Sequence, residues 1–207
     1  MNAVGVEIGD YSDLIVITSN DPTNSTFNIP VSMSVQNAYS GPVWYISTEG
    51  SDDEGDGSIS NPFATIQQGI NQASQSDTIS IGSGLFTDEI NIQSKSLTFS
   101  GVDTSSTIIS TNLILVESTN TNLVEFSNLK FLSNGTTQTM LGVDCFECPA
   151  EDTLELIFNA TSVDGRNDKR FLNGRRNVLI RVENSDFRNL NSTSDGGVFE
   201  LTGFDRN

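Results

Sequence analysis

The chain has 207 residues, enough for one large domain, and carries a net charge of −17 with no histidine. So acidic a balance excludes a phosphate-binding nucleic-acid module, which needs a basic face. The missing imidazole excludes serine-protease triads and the ordinary zinc hydrolase sites.

Asn, Ser and Thr make up about a third of the residues, alongside many Ile, Val and Phe. That polar, largely uncharged and β-branched mixture predicts an extracellular or cell-surface all-β protein. The opening residues, "MNAVGVEIGD", have neither a basic nor an apolar segment of the kind an export signal needs. No run approaches 18 apolar residues, so no membrane span is expected. From an exported composition without an export signal, the beginning of the full protein is expected upstream.

The first element is a hairpin. Leu14 to Thr18 is an apolar run, Asn20-Asp21-Pro22 is turn punctuation, and Phe27, Ile29, Val31, Met33 and Val35 then alternate with mostly polar residues. The alternation predicts one buried and one wet face. Two strands are not stable alone, so partner strands are expected from upstream. The words "GDYSDLIVITSNDP" and "IPVSMSV" resemble the closing strands of bacterial immunoglobulin-like modules, over about residues 5 to 36. The resemblance implies a spacer or presenting module, with no catalytic residues. The expected domains are therefore residues 1–37, a linker at 38–42 ending in Gly-Pro, and a second domain over 43–207.

After the strand "VWYIS", nine positions from Glu49 to Gly57 hold five acidic residues and three glycines. Asp52, Glu54, Asp56 and Gly57 match the first half of an EF-hand loop, but Phe63 stands where the bidentate Glu would be. A looser calcium site at Asp52, Glu54 and Asp56 competes with a plain solvated turn, which the pattern favours. A short helix follows. Asn61 is expected as its N-cap, Pro62 as its first residue, and Phe63, Ile66, Ile70 and Ala73 as its apolar face.

From Asp77 onward apolar residues come at i and i+2. Ile79/Ile81, Ile90/Ile92, Leu97/Phe99, Leu113/Leu115 and Val124/Phe126 are pairs, while Leu154/Leu156/Phe158 and Val178/Ile180/Val182 are triplets. Each reads as a short strand with one buried face. Strands so short suit coils that stack on one another. Asn128, Asn159 and Asn184 recur beside them and are expected at the coil corners, where Asn tolerates a left-handed backbone.

The stretch from "GSDDEGDGSISNPFATIQQGI" to "SLTFSGVDTSSTII" resembles the opening of right-handed parallel β-helix proteins of the pectin-lyase-like superfamily, over about residues 43 to 109. Ser76 and Phe86 depart from the family pattern. The resemblance implies that the acidic loop leads into a helix capping the N-terminal end of the coils. Family enzymes are lyases and hydrolases acting on polysaccharides through later coils, and no such catalytic set transfers to this chain. The tail "FRNLNSTSDGGVFEL" is similar to repeats of polymorphic outer-membrane autotransporter adhesins.

Two further features bear on function. Residues 1–165 hold 2 basic and 21 acidic residues, whereas 166–207 hold 8 basic and 6 acidic. Arg166, Lys169, Arg170, Arg175 and Arg176 fall in "DGRNDKRFLNGRR", which reads as a loop between coils. Such a cluster either binds carboxylates of acidic sugars or balances the acidic surface. Cys145 and Cys148 form a lone C-x-x-C without further zinc ligands, expected as a small loop disulfide. The expected function is a glycan-binding or adhesion scaffold with no required cofactor beyond an optional calcium ion. The alternative is a polysaccharide lyase or hydrolase with its active coils beyond Asn207.

Overall fold

The computed structural model describes residues 7, 9–35, 39–111, 114–117, 123–135, 139–144, 153–175, 178–190 and 199–202. The chain divides into two compact units, Met1–Tyr39 and Ser40–Asn207. The boundary falls within the 38–42 stretch. Among the described residues no helix is long and apolar enough to cross a membrane.

The first unit is a two-stranded antiparallel sheet of β1 (Gly9–Thr18) and β2 (Thr26–Val35). Its turn is built by Asp21, whose carboxylate accepts from the Thr23 amide and hydroxyl and from the Asn24 amide. The Thr23 hydroxyl bond, more than the others, holds that carboxyl below its ordinary value. Tyr11, Ile15 and Ile17 lie opposite Met33, Ile29 and Phe27. The expected buried face is not buried: its large side chains are 37–65% exposed.

The second unit is a ladder of parallel pairings. β3 (Val43–Ile46), β4 (Thr78–Ile81), β7 (Leu97–Ser100), β10 (Leu123–Ser127), β13 (Leu154–Asn159) and β15 (Val178–Glu183) form one sheet in that order. A second path runs through β5 (Gly84–Phe86), β8 (Thr107–Ile109), β11 (Lys130–Leu132), β14 (Ser162–Arg175) and β16 (Asp186–Leu190). A third runs through β6 (Ile90–Gln93), β9 (Ile114–Glu117), β12 (Thr139–Asp144), the later part of β14, and β17 (Phe199–Thr202). From β4 onward the chain visits the three stacks in rotation.

In-register parallel pairing puts like residues above like. Ile79, Phe99, Phe126, Phe158 and Val182 form one file and Leu97, Val124, Leu156 and Ile180 another. Phe86, Ile109, Phe131, Val163 and Phe187 form a third across the second path. Phe99 stacks on Phe126 at 5.0 Å between ring centroids, and Phe126 on Phe158 at 5.5 Å. Phe131 and Phe171 meet Phe158 edge-on. Ile79, Ile81, Ile90, Ile92, Leu97, Phe99, Val124 and Phe126, expected to share a core, are each 2% exposed or less.

Two expectations shift by one residue. Register sets Ile114 and Val116 opposite Ile90 and Ile92 and Leu115 opposite Asn91, so Leu115 is out of phase with the expected pair, whose Leu113 lies outside the described residues. The run "LILV" is apolar throughout, and only neighbouring strands choose its phase. At the corners, Asn128 (φ 53°) and Asn184 (φ 50°) are left-handed, but between them the left-handed residue is Ala160 (φ 48°), not Asn159. Asn159 ends its strand opposite Ser127 and Glu183. A left-handed alanine costs roughly 1 kcal/mol, offset by an unbroken ladder: Asn128 N–H donates to the Asn159 carbonyl and Ala160 N–H to the Glu183 carbonyl.

The short helix α1 (Ile66–Gln72) begins four residues later than expected. Thr65 is the N-cap and accepts from the Gln68 amide. Phe63 instead bridges to Ile46 in strand fashion. Ile66, Gly69 and Ile70 are the buried face of the helix. A Cβ on Gly69 would stand 2.7 Å from the Ile46 side chain, which shows how closely helix and first strand approach. Lys95 donates to the Ile70 and Asn71 carbonyls at the other end of the helix, where a cation is favoured.

Candidate functional site

The acidic loop is a structural device. One oxygen of Asp52 accepts from the Ala64 and Thr65 amides at 2.8 and 3.0 Å, and the other accepts from the Thr65 hydroxyl at 2.6 Å. Asp52 thus steadies the residue that caps α1. Glu54 and Asp56 do not join it. The Glu54 carbonyl accepts from the Asn61 side chain. The Asp56 carboxylate accepts from the Ser58 amide, and bonds from Ser58 hold it below its ordinary value.

Among the described residues no three Asp, Glu, Cys or His side chains are grouped to hold a metal ion. Asp52, Glu54 and Asp56 form no such group. Gly57, at φ 80°, has its own reason. A Cβ there would stand 2.5 Å from Phe63 and 2.6 Å from Trp44, whose rings stack beneath the loop. The loop is also tied from the far side: buried Asp77, which the motif reading missed, accepts from Trp44 Nε1 at 2.9 Å and from the Ser74 amide at 2.8 Å.

The basic segment is not a loop. Arg166, Lys169, Arg170 and Arg175 lie on β14, a 14-residue strand that spans two stacks. It is held there because Phe171 and Leu172 are fully buried. Thr139 pairs with Arg170 and Thr202 with Arg175. Five residues of extended chain separate those two backbone positions by roughly 16 Å. The side chains of Lys169, Arg170 and Arg175 lie outside the described part of the structure, as do Arg176, Cys145 and Cys148 altogether.

What the fold does assemble is a groove of about 550 Å³ along the corner between the first and second stacks. Four successive turns of chain contribute to it. The turn before β8 supplies Asp103 to Ser105, the next corner Asn128 and Lys130, the next Ala160 to Ser162, and the last Asn184, Asp186 and Arg188. The rows follow from register: Lys130, Ser162 and Asp186 are paired neighbours, and so are Leu132, Asp164 and Arg188.

Asp164 is the hub beside this groove. It lies 3.9 Å from Lys130 Nζ and 3.6 Å from Arg188 Nε, and accepts from the Asn189 side chain at 3.0 Å and from the Arg166 amide at 3.1 Å. The Asn189 bond first, then the Arg166 amide and the two cations, hold its carboxyl below the ordinary range. Asp164 is thus an acceptor at neutral pH, not a proton donor. Arg188 also pairs with Asp186 at 3.5 Å. At the groove's far end Asp103 accepts from the amides and hydroxyls of Ser105 and Ser106, which hold its carboxyl far below the ordinary range.

The resulting surface alternates ionised acceptors, cationic donors, hydroxyls and amides, with charges nearly balanced. Such a lining suits a polyhydroxylated ligand, which needs both donors and acceptors at short intervals. Sequence reasoning missed Lys130, Asp164 and Arg188, with Asp186 beside it, because Lys130 lies 34 residues before Asp164 and Arg188 lies 24 after it, and they meet only through register. No family model matches the chain, and neither a curated protein nor a solved structure does.

Proposed function

We propose that residues 43–207 are the capped first coils of a right-handed parallel β-helix, that residues 1–37 are the closing strands of an immunoglobulin-like module, and that the chain serves as a secreted or cell-surface scaffold that binds glycans. The coil reading draws on three parallel stacks visited in rotation, left-handed corners, and a helix packed on the first strands. Right-handedness rests on the strong general preference of parallel crossovers. The surface location rests on composition alone.

The observation that carries the binding role is the groove of Asp103, Asn128, Lys130, Asn184, Asp186 and Arg188. It crosses successive coils, so a linear polysaccharide could lie along it and meet a similar set of polar groups at each step. Lys130 and Arg188 would donate to ring and hydroxyl oxygens, and Asp186 would accept from hydroxyls.

The test is titration calorimetry of the whole chain against a panel of neutral and uronate-containing oligosaccharides. At least one should bind, and Lys130→Ala and Arg188→Ala should each weaken it by about tenfold, the scale of one lost charge-assisted hydrogen bond. The thermal midpoint should stay near that of the parent chain. If no sugar binds, or if binding survives both changes, the glycan reading fails.

A further inference from the structure

Glutamine amides close part of the open edge of the third stack. β6 ends that stack and pairs with β9 on one side. On its other side the Gln67 side chain of α1 takes the place of a strand. Its Oε1 accepts from the Asn91 amide at 2.7 Å, and its Nε2 donates to the Asn91 carbonyl at 3.2 Å. Gln75 repeats the device past the end of β6, donating to the Ser94 carbonyl and accepting from the Ser96 amide, both at 2.7 Å. Backbone groups two residues apart face the same edge of a strand, so the Gln93 N–H and C=O face this edge between the two glutamines. Among the described residues no side chain takes them up.

The gap opens on a hollow of about 410 Å³ lined by Gln67, Ile70, Asn71, Asn91, Gln93 and Lys95. Ile70, its one apolar residue, is itself buried. In the same wall Asn91 Oδ1 is buried without a hydrogen-bond partner, an acceptor whose desolvation nothing offsets. Lys95 Nζ directs two N–H groups at the Ile70 and Asn71 carbonyls, and an ammonium has a third.

We infer that this hollow binds an acetamido group, the group carried by N-acetylated amino sugars and by acetylated lysine side chains. Such a group is one acceptor, one donor and one methyl, and the hollow has a counterpart for each. The Gln93 N–H and Lys95 donate to its carbonyl, Asn91 Oδ1 accepts from its N–H, and Ile70 meets its methyl. The gap between Gln67 and Gln75 is too short for an added strand, which needs a run of open edge, so it takes a lone amide. The net charge of −17 disfavours an anionic ligand in its place. The residues are separate from those of the Asp103 to Arg188 groove, and the inference does not rest on the glycan reading of that groove.

A chemical-shift titration of the whole chain tests this, with N-acetylglucosamine, Nε-acetyl-lysine amide, glucosamine and glucose as separate probes. An acetylated probe should shift the Asn91 and Gln93 amide signals, and glucosamine and glucose at the same concentration should not. Tighter binding of the sugar or of the lysine assigns the source. Asn91→Leu removes the buried acceptor but keeps the backbone bonds to Gln67. It should weaken binding about tenfold without lowering the thermal midpoint, because the acceptor it deletes has no partner. Gln93→Pro removes the N–H at an open edge, where proline is tolerated, and should weaken binding about equally. If it fails to fold, Asn91→Leu decides alone. The inference is overturned if neither acetylated probe shifts Asn91 and Gln93, or if glucose or glucosamine does so equally. Shifts at Lys130 and Arg188 alone would assign the sugar to the groove and overturn it as well, as would binding that survives Asn91→Leu.

Discussion

The hairpin and the ladder are written in the same code and end in opposite environments. Both alternate β-branched or aromatic residues with polar ones. In the ladder, Ile79, Phe99, Val124 and Phe126 are buried, whereas Ile15, Ile17 and Phe27 in the hairpin are about half exposed or more. Alternation fixes which side chains share a face. It does not fix what covers that face. The ladder covers its own, because each turn of chain returns three strands to the same three stacks and the next turn repeats them. Among the described residues the two strands of the hairpin pair only with each other.

The largest difference between the regions should appear on truncating an aromatic in each. Phe126 is stacked between Phe99 and Phe158 and met edge-on by Phe131. Phe126→Ala leaves a cavity in a packed file and should cost about 3–5 kcal/mol of unfolding free energy. Phe27→Ala in the hairpin, at 65% exposure, should cost under about 1 kcal/mol. Urea denaturation of both variants makes the comparison, and equal losses would break it.

The start of α1 offers a sharper test. Asp52→Ala removes the acceptor of two amides and a hydroxyl at the start of α1 and should cost about 1–3 kcal/mol. Asp21 in the hairpin turn makes the same three kinds of bond, yet it is exposed. Asp21→Ala should leave the main transition of the ladder unmoved. Thermal unfolding of the two variants distinguishes a residue that seals a core from one that shapes a turn. Added calcium should not rescue Asp52→Ala, because that carboxylate is engaged with the helix.

The smallest effect is a pH dependence. The carboxyl of Asp164 has a folded pKa below its ordinary 3.8, so it contributes stability above that value and loses it as pH falls through the lowered value. Parent and Asp164→Asn should differ by under about 1 kcal/mol from neutral pH down to about pH 4 and converge below it. Denaturant midpoints across that window check the sign. A difference that grows on acidification would contradict the bonds assigned to Asp164.

The ladder was legible because its signal is local. Period-two apolar residues identified most strands from Ile79 to Val182, and the one-sided apolar pattern after the acidic loop marked the helix. The site was not legible. The clustered Arg166 to Arg176 stood out in sequence as a loop, but burial of Phe171 and Leu172 holds residues 162–175 in a strand. Lys130, Asp164 and Arg188 carried no local mark, since nothing in their flanking residues says that they will stack.

By itself, then, the sequence determined the all-β class, the apolar faces at Ile79/Ile81, Ile90/Ile92, Leu97/Phe99, Val124/Phe126 and Leu154/Leu156/Phe158, the turn at Asp21 and the approximate position of the helix. These follow from side-chain alternation, turn chemistry and capping, which act over a few residues. Only the tertiary structure decided the phase of Ile114 and Val116, the corner at Ala160 rather than Asn159, the helix start at Thr65 and the groove. Each depends on which turn of chain lies alongside. Parallel pairing joins residues two dozen or more positions apart, and a shift of one residue would turn every side chain of a strand to the opposite face.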